Sequence, residues 1–103
     1  MGISFTQEET EAARLERLLE AAYDRGVSVE QLASNFEPGS VGCHEALHMA
    51  SVFMDWVDRH LAEHPAVLAV PEWFRLAEEA STALFNLYQA IGDRHLAERE
   101  GDE

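Results

Sequence analysis

His44, Glu45 and His48 form the pattern H-E-x-x-H. Side chains four apart on a helix stand one turn above each other, so both imidazoles could hold one Zn²⁺. Glu45, next to the first histidine, would then act as general base on the metal-bound water. A zinc site needs a third protein ligand, and no further histidine follows at the short spacing one protease class uses. His60 and His64 repeat the four-residue step, but His60 lies twelve residues past His48, roughly 18 Å along a straight helix. Glu78 or Glu79 could reach across from a neighbouring helix. The competing reading places His44, His48, Ser51, Asp55 and Asp58 on one solvated polar stripe, with no metal and no cofactor. Cys43 could act as a nucleophile with His44 or His48 as base, although a lone cysteine more often packs as a small apolar side chain. His60 and His64, near a helix C-terminus, suit capping as imidazolium ions.

A second constellation combines Asp55 and Arg59 on one helix with Arg75, Tyr88, Gln89 and Arg94 on another. Arginine and aromatic side chains together can clamp a phosphate and stack a base. Alternatively, Arg59 and Arg75 pair with Asp55, Asp58, Glu72 or Glu79 at one-turn spacing on their own helices. The arrangement resembles small helical-hairpin proteins of phages that assemble into oligomers and sequester nucleotide signals. That resemblance is one of architecture, and it implies a nucleotide ligand held between subunits.

The elements that would position these groups are all helical. Thr6 with Glu9 reads as a capping box opening a helix over about 7–25, and Gly26 suits its left-handed end. Ser28 and Gln31, with Val27 and Leu32 as a hydrophobic staple, open a short helix ending near Asn35. Glu37-Pro38-Gly39-Ser40 is a turn. A long helix over about 41–64 stops before Pro65, with Ala46, Ala50, Phe53, Val57, His60 and Leu61 as its core stripe. The apolar link 65–70 leads to a helix over about 71–92 with Pro71 and Glu72 in its first turn. Its stripe is Trp73, Leu76, Ala80, Leu84, Leu87 and Ile91, and Gly92 loosens its end.

These elements predict an all-α fold, a small helical bundle. Its long antiparallel helical hairpin (about 41–64 and 71–92) is covered by the N-terminal helix and the short capped helix. Residues 1–92 are expected to form a single domain and 93–103 a charged, frayed tail. Phe53, Met54, Trp56, Trp73 and Phe74 widen the apolar arc beyond what such a bundle buries. They are the expected interface with a protein partner or with further copies, giving a dimer or higher oligomer.

Composition narrows the function. The chain of 103 residues carries 20 carboxylates against 7 basic residues, a net charge of -13. That balance argues against direct nucleic-acid binding and against an anionic membrane surface. It suits docking on a basic protein. One cysteine, no basic or apolar leader and no long apolar run point to a cytoplasmic protein. The expectation is a non-enzymatic, acidic binding or sequestering protein acting as an oligomer. It fits a small phage-type accessory inhibitor of a host defence component that blocks a protein effector or traps a nucleotide. The alternative is a zinc-dependent hydrolase or zinc-binding protein built on His44, Glu45 and His48.

Overall fold

The computed structural model describes residues 5–101, which are helical almost throughout and contain no strand. The chain divides into two compact units, one ending at Asn35 and the other beginning at Phe36.

The first unit consists of α1 (Gln7–Arg25) and α2 (Val29–Asn35). The Thr6 side chain accepts the Glu9 amide, and the Glu9 carboxylate accepts the Thr6 amide, completing the capping box. Two amides that a helix start leaves without partners are thereby satisfied. Gly26 closes α1 at φ 67°, a left-handed conformation that only a residue without Cβ adopts freely. Ser28 accepts the Gln31 amide at 3.0 Å, while the Gln31 side chain turns to Asn35, so half of the expected second box forms. Ala22 and Leu32 are the buried residues of this unit.

The second unit is a helical hairpin. Its first arm is α3 (Val41–Trp56), which continues into a π-helical turn over Val57–Ala62. After α4 (Pro65–Leu68) the chain returns as α5 (Pro71–Gly101). Three contacts give the register: Asp58 meets Ser81, Leu47 meets Gly92, and His44 meets His95. The step from Asp58 back to Leu47 equals the step from Ser81 on to Gly92, and the step to His44 equals that to His95. The arms therefore run antiparallel without slip.

The core line differs from the one hydrophobicity suggests. On α5 the inward residues are Ala77, Ser81, Leu84, Tyr88, Ile91 and His95, and on the other arm Cys43, Leu47, Ala50, Met54, Val57 and Ala62. Trp73, Leu76, Ala80 and Leu87, expected inside, are exposed, as are Ala46, Phe53, His60 and Leu61. Small residues account for the change. Ala50, Ala62 and Ala77 are buried where the arms approach, and interaxial distance is set by the side chains at the contact. When both stripes of a helix are apolar, the bulkier one does not have to be the inner one.

The π-helical turn also revises the polar stripe. Its extra residue makes Ala62, rather than Leu61, the inward position and sets Asp58 against α5. Asp58 accepts a hydrogen bond from the Ser81 hydroxyl, and Ser51 is half-buried, so only His44, His48 and Asp55 of that stripe are exposed. Removing the donor with Ser81→Ala leaves a partly buried carboxylate oxygen short of a partner. The expected cost is about 1–2 kcal/mol, read as a lower urea midpoint at unchanged m-value.

Ahead of Pro65, His64 is extended (ψ 130°), as the proline ring requires. Its Nδ1 accepts the Ala66 amide at 3.0 Å, which makes His64 the N-cap of α4. It serves a helix start as a neutral acceptor, in place of the cationic C-terminal role expected. The apolar link is thus mostly helix. α5 passes Gly92 without ending and continues to Gly101, carrying packed His95 within the stretch expected to fray. Residues 102 and 103 of that expected tail lie outside the described residues.

Candidate functional site

Two apolar strips remain outside the hairpin core. Met49, Phe53 and Trp56 follow one another along α3, and Trp73, Leu76, Ala80 and Leu87 along α5. Each strip is displaced in the same rotational sense from its helix's inward line, and in an antiparallel pair such strips emerge on one common face. Trp56 is 59% exposed, Trp73 54% and Phe53 53%. These three residues of the expected interface share that face. Phe74 lies on the opposite flank of α5 with Phe85, and Met54 is half-buried in the inward line, so it is not a surface residue.

At the closed end of the hairpin the face deepens into a cleft of about 310 Å³ lined by Leu61, Val67, Trp73, Leu76, Ala77 and Ala80. The π-helical turn supplies one wall by sending Leu61 outward, and α4 supplies another through Val67. Beside it on α5, Arg75 pairs with both Glu72 and Glu79. The hydrogen bond from Arg75 holds the Glu72 carboxyl below its ordinary range, and the same bond raises the guanidinium. A depressed carboxyl stabilises the fold above the ordinary carboxylate range, and this contribution is lost as pH falls through the lowered value. The group is solvent-exposed, so screening keeps the contribution small. Arg75→Ala is expected to leave the urea midpoint at pH 7 unchanged within error.

Two of the arginines expected to clamp a ligand, Arg59 and Arg75, are engaged on their own helices. Arg59 bonds Asp55 at 3.0 Å, as Arg75 does Glu72 and Glu79. Tyr88 is half-buried on the inward line and Gln89 is exposed. Thirteen residues separate Arg75 from Tyr88, roughly 20 Å along α5. Asp55, Arg59, Arg75, Tyr88 and Gln89 therefore do not converge within one chain. Arg94 lies at the open end, lining a polar cleft with Glu37, Ser40 and Glu98.

His44 and His48 stand one turn apart and exposed, as their spacing requires. Among the described residues no group of three histidine, cysteine or acidic side chains comes together to hold a metal. The register puts Glu78 level with Leu61, roughly 20 Å from His48, and Arg75 holds Glu79. The imidazole beside His44 is His95, with ring centroids 5.4 Å apart. His95 accepts the Gly39 amide on Nδ1 at 2.9 Å, so the proton of its neutral ring sits on Nε2, which then offers no lone pair to a metal. Cys43 is half-buried on the inward line, its amide bonded to Ser40, the N-cap of α3.

His95 is the residue a motif search passes over, and it is fully buried. One signal would have found it. The alternating steps of four and three through Ala77, Ser81, Leu84, Tyr88 and Ile91 reach position 95 two turns after Tyr88.

No family model, no curated protein and no solved structure matches this chain. Its own geometry defines an all-α helical bundle, and no helix among the described residues is long and apolar enough to cross a membrane.

Proposed function

We propose that this protein is a non-enzymatic binding or sequestering protein that works by docking, as an oligomer, through the aromatic face of its hairpin. One observation carries the reading: Phe53, Trp56 and Trp73 share one face while Ala50, Ala62 and Ala77 lie buried between the arms. Aromatic anchors are the side chains that dominate protein interfaces, and contiguous exposed apolar surface marks a docking site. Copies meet most readily around Trp56 on the α3 strip, because the charges flanking it in sequence, Asp55 and Arg59, cancel each other. The acidity of the chain supports an inhibitor that docks on a basic partner. A phage-type protein aimed at a host defence component would block a basic effector in this way.

Native mass spectrometry with light scattering at micromolar concentration tests this. A dimer or larger assembly without bound zinc is expected, and a clean monomer would overturn the oligomeric reading. Ultraviolet absorbance near 260 nm released on denaturation would shift the target from a protein effector to a nucleotide held between copies.

A further inference from the structure

We infer that the closed-end cleft is the seat for an apolar anchor on a basic, amphipathic protein segment, separate from the strip through which copies meet. This rests on the docking reading above and names the partner's chemistry at one end of that face. The lining is entirely apolar: Leu61, Val67, Trp73, Leu76, Ala77 and Ala80. A volume of about 310 Å³ is at the small end of binding pockets and suits one or two side chains better than a folded surface.

The charges beside the cleft choose the occupant. Glu72 and Glu79 lie on the strip of α5 next to Leu76, and exposed Glu63 follows the π-helical turn that carries Leu61. The cation among them, Arg75, is held by Glu72 and Glu79 together, so that trio keeps one net negative charge. A second copy would bring the same acidic border to the same cleft, and like charges juxtaposed at an interface oppose association. Lysine or arginine flanking an apolar anchor would instead meet opposite charge on both sides. Around Trp56 the α3 strip is less biased, since Asp55 and Arg59 neutralise each other and the next carboxylate along it, Glu45, lies beyond Met49 at the far end. Charge thus divides one continuous face into a part suited to self-contact and a part suited to a basic partner.

The probe is a synthetic amphipathic peptide of leucine and lysine, with leucine at helical spacing and no tryptophan. Binding is read from the emission of Trp73 in the Trp56→Phe protein. The expected result is a blue shift that saturates with the lysine peptide and does not occur with its glutamate counterpart. Leu76→Asp decides the mechanism. It adds a negative charge, so purely Coulombic attraction would tighten binding. A seated anchor would weaken it at least tenfold, with the helical circular dichroism unchanged because Leu76 is exposed. Ala80→Gln, which fills the cleft without changing charge, should weaken binding as well. Equal or tighter binding by Leu76→Asp would overturn the inference. So would loss of oligomer in that variant, since a second copy would then occupy the cleft. Loss of oligomer on substitution of Phe53, with peptide binding retained, leaves both proposals standing. Wild-type protein that is monomeric yet binds the peptide overturns the oligomeric reading alone.

Discussion

The double variant Phe53→Glu, Trp56→Glu is expected to run as a monomer in light scattering at concentrations where the proposed wild-type oligomer forms; this is the largest functional effect expected. Both side chains are more than half exposed in the hairpin, so replacing them removes little packing from the folded chain. Each can contribute about 2 kcal/mol or more as an interface anchor. Two such losses weaken association by roughly a thousandfold, at about 1.4 kcal/mol per decade. Two carboxylates added to an already acidic face oppose contact further. The helical circular dichroism should match wild type. An assembly that survives both substitutions would show that copies meet elsewhere.

His95→Ala carries the largest expected loss of stability, about 2–4 kcal/mol. The ring is fully buried, and its removal leaves a cavity together with a Gly39 amide that has lost its acceptor. Gly39 sits at φ 94° in the turn leading into α3, so this bond ties the last turns of α5 to the start of the hairpin. His95→Gln keeps an acceptor of similar reach and should lose about half as much. Urea midpoints compared at one protein concentration give the measurement, because the proposed self-association would make apparent stability concentration-dependent. A change below about 0.5 kcal/mol for His95→Ala would mean that the bond and the packing around it are not what hold the open end.

What was legible in the sequence was local. The Thr6 and Glu9 box, the left-handed Gly26 and the stop ahead of Pro65 each depend on residues within a few positions, and each is where the letters place it. The hairpin follows from two long periodic segments and a short link. The identity of the inner stripe did not follow, because Phe53 and Leu76 are as apolar as anything they compete with. Size at the closest approach decided in favour of Ala50, Ala62 and Ala77. The π-helical turn has no signature in Val57–Ala62, and without it Leu61 reads as core. The bond between Gly39 and His95 spans 56 positions and is invisible to any local pattern. The H-E-x-x-H letters were plain enough. A motif states which side chains share a turn, while a metal centre depends on what the neighbouring helix brings to it, and here that neighbour is a ring protonated on the nitrogen facing away from Gly39.

The widened turn at the end of α3 gives the hairpin an unusual kind of evolvability. An α-helix turns into a π-helical turn by gaining one residue. Loss of one codon between 57 and 62 would restore regular winding while Ala62, then four residues after Val57, stays on the inward line. The hairpin can therefore gain or lose this widened turn in one mutational step, with no change to any residue of the facing helix.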